Sequence, residues 1–362
     1  MMEAMRTFRR GCERVLRAGI GPVVFLCAAM GCTSSETEIL EAPAPEDSCI
    51  YARDGVCDEP RNCGLGTDSI DCDRACSENY HPGIAAACGY DEAVPQPSPD
   101  DSGSHGAGGP GGQWESSILA RDPDDASASI PRYYRVYVPP SYQPAKPSPL
   151  LYVMGGFRVD NHSLAAYTEL GRLADQQGII VVYLQAHFLE YGANGWVFQW
   201  YVFAQNWQPG DWPTNPDVDF VRKLSAELKG KYNIDRTRIY TSGHSRGGAE
   251  SVIVAFEAPE LIAGFLSESG FTGVNKYQDR IRELNPARKV TGVLVHGVAD
   301  TDVSVAESDG TAQALNDSGH IYAEHYLYYR LEGVTHQWQP QYNAQAWAFL
   351  SSRPLPLEMA AP

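Results

Sequence analysis

Short apolar runs alternate with longer amphipathic stretches along the chain from residue 116 onwards. Uninterrupted runs such as residues 150–154 and 179–184 are typical of strands that are buried on both faces of a parallel sheet. Residues 163–177 instead repeat apolar side chains every three or four positions, which is the spacing of one helix face. The alternation predicts an α/β fold in which a mostly parallel sheet is covered by helices on both faces.

The same pattern places the predicted elements within residues 113–355, which we expect to form one domain. Strands are expected at residues 132–138, 150–154, 179–184, 238–242, 264–267, 290–296 and 323–330. Helices are expected at residues 163–177, 217–232, 247–256, 304–315 and 342–351. Loops that follow the strands are then candidates for functional residues, because ligands bind at the carboxyl ends of parallel strands in such folds.

Residues 185–215 interrupt this alternation with a high density of aromatic side chains among glycine and glutamine. Because the segment follows a predicted strand, we expect it to form a wall or lid of a pocket. Trp196 and Trp200 in this segment, together with Trp338 in a later loop, are the expected substrate contacts. A packed satellite core is the alternative use of these rings, and both interpretations stay open at this point.

The first 32 residues have the pattern of an export signal. Five arginines precede an apolar stretch at residues 20–30 that is too short to span a bilayer. Small residues before Cys32, followed by polar ones, resemble a bacterial lipoprotein signal, which implies cleavage before Cys32 and a lipid anchor on it. We therefore expect a location outside the cell or in the cell envelope. Cleavage by an ordinary signal peptidase and free secretion is the alternative.

Cysteine is confined to the first part of the chain. Of nine cysteines, three lie in the signal segment and six between Cys49 and Cys88. An even number in a short exported stretch predicts a disulfide-bonded module at residues 49–90, and zinc is less favoured because paired Cys-x-x-Cys motifs are missing. Part of this stretch resembles the small calcium-binding modules of the Notch-repeat kind. The resemblance implies calcium ligands, against the alternative of solvated acids, at Asp54, Asp68 and Asp71.

Two segments connect these units. Residues 33–48 are expected to link the signal to the module. Residues 91–112 are rich in proline, glycine, serine and aspartate, a composition that buries too little apolar surface to fold. We expect this second segment to be a flexible linker between the module and the α/β domain.

A Gly-x-Ser-x-Gly motif stands between the predicted strand at 238–242 and the helix that follows it. By itself the motif is short and occurs by chance in loops, but here its neighbours are a strand and a helix, as a nucleophile turn requires. Gly243 and Gly247 lack a Cβ and let the two arms approach closely. Ser245 is therefore the expected nucleophile, held at the amino terminus of a helix.

An oxyanion formed beside this serine needs two backbone N–H donors. One is expected from Arg246, because it follows the nucleophile. The other is expected from the loop after the strand at 150–154, where Gly156 or Phe157 is the donor.

A serine nucleophile needs a base to take its proton and an acid to orient that base. In sheet enzymes of this kind the order is serine, then aspartate or glutamate, then histidine, each in a loop after a strand. Asp300 and its rival Asp302 follow one predicted strand, and His336 follows the last. We expect Asp300 as the acid and His336 as the base. The histidines judged less suitable by position are His296, His320, His325 and His244, whose side chain is expected to point away from that of its neighbour.

Residues 130–350 resemble the branch of the α/β hydrolases that contains secreted polyhydroxybutyrate depolymerases and feruloyl or acetylxylan esterases. The matching segments are residues 134–139, 217–221, 232–240, 243–248, 296–300 and 333–336. The resemblance implies an α/β-hydrolase fold, a serine esterase activity, and triad positions at Ser245, Asp300 and His336. Met154 stands where the family usually has histidine before the glycine of the oxyanion loop.

These observations predict an exported serine hydrolase that acts on polymer-linked or aromatic acyl esters. An esterified plant cell-wall polysaccharide is one expected substrate. No cofactor or catalytic metal is expected. The formal net charge of −17 argues against a nucleic-acid partner, because phosphate binding needs clustered lysine and arginine. Membrane contact is expected only through the anchor at Cys32. The alternatives are a serine peptidase on the same fold and a surface-binding lipoprotein whose hydrolase domain is a scaffold.

Overall fold

The computed structural model describes residues 101–361, apart from residues 107, 124, 126, 191–195, 203–211 and 285–287. The predicted export signal with Cys32, the linker at 33–48 and the module at 49–90 lie outside the described residues. Within the part of the chain that is described, no helix combines the length and the apolar character needed to cross a membrane.

The α/β domain contains the predicted alternation of strands and helices. The strands are β1 (Gly112–Arg121), β2 (Ser129–Val138), β3 (Ser148–Met154), β4 (Ile180–Leu184), β5 (His187–Glu190), β6 (Trp196–Gln199), β7 (Ile234–His244), β8 (Gly264–Glu268), β9 (Thr291–Gly297) and β10 (Tyr326–Leu331). The helices are α1 (Asn161–Thr168), α2 (Leu170–Gln177), α3 (Pro216–Lys231), α4 (Arg246–Glu257), α5 (Tyr277–Leu284), α6 (Ala306–Asp317) and α7 (Asn343–Ser351). Short 3-10 turns occur at Trp212–Thr214 and Pro340–Tyr342.

The central sheet has eight strands in the order β1-β2-β4-β3-β7-β8-β9-β10. Strand β2 pairs antiparallel with β1 on one side and with β4 on the other, and the remaining pairs of this sheet are parallel. Strands β5 and β6 form a separate antiparallel hairpin. The prediction of a mostly parallel sheet is therefore confirmed. Strands β3, β4, β8 and β9 are buried at every residue, which explains the apolar runs that form most of β3 and β4 and the middle of β9.

The helix predicted at residues 163–177 is interrupted in the structure. Helix α1 ends and α2 begins around Glu169, whose φ of 54° is in the left-handed region. A residue in that conformation cannot continue a right-handed helix. The apolar spacing runs through the break, so the pattern predicted one helix where there are two.

The end of the expected linker also differs from the prediction. The N–H of Ser104 donates to the carbonyl of Ile234 at 2.9 Å, next to the start of β7. Gly109 lies so close to the Tyr232 ring that a Cβ on it would overlap the ring. The glycine at position 109 therefore allows close packing on the domain, although the abundance of glycine in this segment suggested a flexible tether.

Candidate active site

The turn between β7 and α4 contains a strained residue. Strand β7 ends at His244 and α4 begins at Arg246, so Ser245 alone connects the two elements. Its φ of 58° and ψ of −119° lie in a region that residues with a side chain seldom adopt. Such strain persists only where the surrounding structure fixes it, which is typical of functional sites.

Two glycines make this turn sterically feasible, as the sequence predicted. A Cβ on Gly243 would overlap the carbonyl of Gly247 across the turn. A Cβ on Gly247 would overlap the carbonyl of Met154 at the end of β3. Larger residues at either position would therefore push the turn away from the sheet.

Ser245 lines a cavity of about 640 Å³ at the carboxyl ends of the parallel strands. His336, in the loop after β10, lines the same cavity, so the expected nucleophile and the expected base face one space. Apolar side chains form much of the remaining wall: Phe157, Val159, Phe271, Val274 and Val303. Among the described residues, no group of three or more histidine, cysteine, aspartate or glutamate side chains is arranged to hold a metal ion.

His336 is bonded to Asp300 through a short hydrogen bond. The distance between Nδ1 of His336 and Oδ2 of Asp300 is 2.7 Å. The second oxygen of Asp300 accepts hydrogen bonds from the N–H groups of Asp302 and Val303, both at 2.9 Å. Burial disfavours the charge on Asp300, but the hydrogen bonds from Val303 and His336 outweigh it and hold its pKa below the ordinary value. Asp300 is therefore an anion beside the imidazole.

Asp302, the rival acid, occupies a different position. Its side chain is exposed, and its backbone N–H supports Asp300 as described. The geometry thus favours Asp300 over Asp302 as the partner of His336.

A second histidine contacts the same carboxylate. Nε2 of His296 lies 3.2 Å from Oδ2 of Asp300 and 3.0 Å from the carbonyl of Val303. Because both neighbours are acceptors, Nε2 carries the proton, and Nδ1 accepts from the hydroxyl of Ser308 at 2.7 Å. Burial lowers the pKa of His296, so this imidazole is a neutral donor that holds Asp300 in place. From the sequence, His296 was judged unsuitable as the catalytic base. In the structure it contacts Asp300, Val303 and Ser308.

His244 was expected to point away from the site but lines the cavity. Its ring lies against that of His336, with the centroids 4.7 Å apart and the planes inclined by 36°. Burial, and next the charge that His336 carries when protonated, lower the pKa of His244 to about 3. His244 is therefore a neutral ring that packs on the imidazole of His336.

The two expected oxyanion donors belong to residues that lie next to Ser245. Arg246 is the first residue of α4, where backbone N–H groups have no acceptor within the helix. A Cβ on Gly156 would lie 3.2 Å from the Cβ of Ser245, so the loop after β3 contacts the serine directly. The guanidinium of Arg246 covers the ring of Phe157 at 4.1 Å from its centroid. The loop after β3 and the start of α4 therefore contact each other in the wall of the cavity.

The tryptophans expected to contact substrate are placed differently. Trp200 is buried, and its indole N–H donates to the carbonyl of Gly155 at 2.7 Å. Trp338 is also buried, and its indole N–H donates to the side-chain oxygen of Asn343 at 3.1 Å. Neither lines the Ser245 cavity, and the substrate contact expected of these two rings stays a prediction. The side chain of Trp196 lies outside the described residues.

The sheet order, the strained serine between strand and helix, and the aspartate and histidine in later loops together define an α/β-hydrolase fold. The sequence pattern of the Esterase family matches residues 127–344. This range covers more than half of the chain, and the chain belongs to the Esterase family.

Two curated relatives match part of the chain. NocK of Nocardia uniformis subsp. tsuyamanensis, named as an esterase, is 28% identical over 173 residues, which is 47% of this chain and 45% of NocK. The bifunctional acetylxylan esterase/xylanase XynS20E of Neocallimastix patriciarum is 28% identical over 191 residues, which is 52% of this chain and 24% of XynS20E. The matched segments span less than half of each relative.

Solved structures share the fold. The acetyl xylan esterase from Aspergillus awamori aligns with 67% of this chain and 100% of its own, with a TM-score of 0.54 and 14% identity. A ferulic acid esterase aligns with 66% of this chain and 98% of its own, with a TM-score of 0.51 and 16% identity. At these identities the likeness concerns the fold alone.

Proposed function

We propose that this protein is an exported serine hydrolase of carboxylic esters with a Ser245–His336–Asp300 triad. The observation that carries the proposal is the 2.7 Å hydrogen bond between His336 and Asp300 at a cavity that Ser245 also lines. Export rests on the pattern of residues 1–32 and on the resemblance of Cys32 to a lipoprotein acceptor. The export proposal is tested by mass spectrometry of the mature protein, in which we expect a lipid on an amino-terminal Cys32.

The tautomer of His336 follows from its partner. Because Nδ1 faces an anionic carboxylate, it carries the proton, and Nε2 is left as the base. As the Ser245 oxygen bonds to the ester carbonyl carbon, its proton passes to Nε2, and the carbonyl oxygen becomes an oxyanion. Collapse of this intermediate breaks the ester C–O bond, and the leaving alcohol takes the proton back from Nε2. Water then repeats the sequence on the acyl-enzyme and releases the acid.

The oxyanion is stabilised by backbone donors. The N–H of Arg246 lies at the amino terminus of α4, where the helix dipole also favours negative charge. The N–H of Gly156 is the second donor, from the loop that contacts Ser245. Fixed donors of this kind commonly contribute a factor of about 100 or more to the rate.

The acyl group is proposed to be aromatic, of the feruloyl kind. Phe157, Phe271 and Val303 give the cavity a largely apolar wall, and its volume of about 640 Å³ is in the range of small-molecule sites. An aromatic acyl group buries more apolar area on such a wall than an acetyl group does. Two structures with the same fold are named as an acetyl xylan esterase and a ferulic acid esterase, and the second name matches an aromatic acyl group.

The test is a comparison of kcat/KM for methyl ferulate, an aryl acetate and oligomers of hydroxybutyrate. We expect the ferulate to be preferred and Ser245→Ala to abolish hydrolysis of all three. Equal values for the three esters would contradict the aromatic acyl assignment. Cleavage of peptides in preference to esters would contradict the esterase itself.

A further inference from the structure

The loop after β3, which contains the expected oxyanion donor Gly156, is bonded to the end of β6 and the residue that follows it. The indole N–H of Trp200 donates to the carbonyl of Gly155 at 2.7 Å. The backbone N–H of Arg158 donates to the carbonyl of Phe198 at 3.0 Å. Neither bond has a part in the reaction proposed above. The inference drawn from them rests on the proposed function and concerns how its oxyanion is stabilised.

The carbonyl of Gly155 and the N–H of Gly156 belong to one peptide unit. A trans peptide unit is planar, so its C=O and N–H bonds point in opposite directions. A donor that holds the carbonyl in one direction therefore also sets the direction of the N–H. Here that donor is the indole of Trp200, and the N–H is the one that the proposed function assigns to the oxyanion.

The loop after β3 has a conformation that needs support from outside. Arg158 has a φ of 65°, in the left-handed region that residues with a side chain seldom adopt. A Cβ on Gly155 would lie 2.9 Å from a methyl carbon of Val159, so the loop folds back tightly on itself. Such strain persists only where neighbouring elements fix it. The bonds from Trp200 and to Phe198 supply that support at both ends of the turn.

The ring of Trp200 is itself held by a buried ion pair. Trp200 is buried, and the guanidinium carbon of Arg132 lies 5.9 Å from the centroid of its ring. Arg132 donates to a carboxylate oxygen of Asp217 at 2.6 Å, and both side chains are buried. The other oxygen of Asp217 accepts from the N–H of Tyr201, the residue after Trp200, at 2.8 Å. The ring and its adjoining backbone are therefore fixed together, as positioning another group requires.

We propose that Trp200 is a positioning residue for ester hydrolysis, which acts by aiming the N–H of Gly156 at the oxyanion. Trp200 acts through the loop and not on the substrate, because it lies outside the wall of the active-site cavity. A hydrogen bond weakens steeply as its donor turns away from the acceptor. A donor that is already aimed does not have to reorient when the charge develops, which is the source of its effect on the rate.

The first test removes the indole N–H and keeps an aromatic ring. In Trp200→Phe we expect kcat for methyl ferulate to fall by about tenfold or more and KM to change by less than about twofold, because the oxyanion forms only after the substrate has bound. The matched control is Trp114→Phe, which should leave kcat unchanged. The indole N–H of Trp114, on β1 and outside the cavity, donates to the hydroxyl of Tyr232, also at 2.7 Å. An unchanged kcat in Trp200→Phe, a loss that appears in KM, or equal losses in the two variants overturns the proposal.

The rate of fluorophosphonate labelling separates this inference from the proposed function. The phosphonyl oxygen gains negative charge as Ser245 attacks phosphorus, so it needs the same donors whichever ester is the substrate. We expect the labelling rate constant of Trp200→Phe to be about tenfold lower than that of the unaltered protein, with Ser245 labelled to the same final extent. Equal rate constants overturn the inference and leave the esterase in place. If the unaltered protein is labelled but does not hydrolyse methyl ferulate, the proposed function is contradicted and the two rate constants still decide the role of Trp200.

A measurement on the unaltered protein applies even if Trp200→Phe does not fold. The indole N–H resonance of Trp200 is followed by NMR before and after phosphonylation of Ser245. A phosphonyl oxygen that accepts from the N–H of Gly156 polarises the same peptide unit and strengthens the hydrogen bond to its carbonyl. The Trp200 resonance should therefore move downfield, and that of Trp114 should stay. A Trp200 resonance that does not move overturns the proposal.

Discussion

The carboxyl group of Glu268 accepts a hydrogen bond from the backbone N–H of Gln339 at 2.6 Å. Glu268 ends β8, and Gln339 lies three residues after His336, so this bond ties the His336 loop to the sheet. The other carboxyl oxygen has no hydrogen-bond partner in the described part of the chain. Burial raises the pKa of Glu268 to about 8, although the bond from Gln339 opposes the rise. The acid is therefore held neutral over the pH range in which the unfolded chain ionises it.

This raised pKa predicts that stability falls as pH rises. Between about pH 4.5 and pH 8 the unfolded chain loses the proton of Glu268 and the folded protein keeps it, which favours unfolding by at most about 1.4 kcal/mol per pH unit. Glu268→Gln keeps the acceptor for Gln339 and cannot ionise. Its free energy of unfolding, relative to the unaltered protein, should therefore increase from pH 5 to pH 8 in urea titrations. The exposed Glu324→Gln is the control, and a Glu268→Gln difference that stays constant with pH would contradict the assignment.

The bond between His336 and Asp300 predicts unequal effects of removing two neighbouring carboxylates. Asp300→Asn places an amide opposite Nδ1 and favours the wrong tautomer of His336, so kcat should fall by roughly 1,000-fold or more. Asp302→Asn should change kcat by less than about threefold, because only its backbone N–H supports Asp300. Methyl ferulate hydrolysis measures both. A larger loss in Asp302→Asn would make Asp302 the orienting acid.

The packing of His244 on His336 predicts that a ring, and not an ionisable group, is needed at position 244. Nε2 of His244 is buried and has no hydrogen-bond partner among the described residues. His244→Phe keeps the ring and removes that nitrogen, so kcat should stay within about threefold and Tm should not fall. His244→Ala leaves space beside His336, and the displaced base should lower kcat by about tenfold or more. Equal losses in the two variants would mean that the imidazole nitrogens are required.

The close approach at the serine turn predicts a steric effect at Gly243. Gly243→Ala places a methyl group on the carbonyl of Gly247, and the overlap should destabilise the protein by about 1–3 kcal/mol and displace Ser245. Gly230→Ala is the matched control, because a Cβ there meets nothing within 4 Å and alanine suits a helix better by about 0.5–1 kcal/mol. Thermal unfolding compares the two variants. Equal stability in both would remove the steric account of the turn.

Much of the parallel sheet was predictable because its strands are buried on both faces. In β3, β4 and β9 every position is covered, so each sequence contains an unbroken apolar run at its centre. The candidate triad could be chosen from the sequence for another reason, since each member stands after a strand in the chain order that this fold imposes. The break at Glu169 gave no signal, because the apolar spacing continues across it.

The roles of individual rings were not predictable from the sequence. Trp200 and Trp338 were expected in a pocket wall, yet buried acceptors satisfy their indole N–H groups. The sequence shows how many aromatic residues a segment contains, but it does not show which acceptors their N–H groups will contact. His244 was set aside because neighbouring side chains in an extended strand point to opposite faces. At this turn the loop that carries His336 covers the His244 ring, and that contact joins residues 92 positions apart.

Covalent labelling by a fluorophosphonate is the most direct test of the central claim, that His336 and Asp300 activate the hydroxyl of Ser245. The account predicts one added phosphonyl group, located by peptide mass spectrometry on Ser245, with no labelling of Ser245→Ala and strongly reduced labelling of His336→Ala. Labelling of Ser245→Ala to the same extent as the unaltered protein, or a label on a different residue, would contradict it.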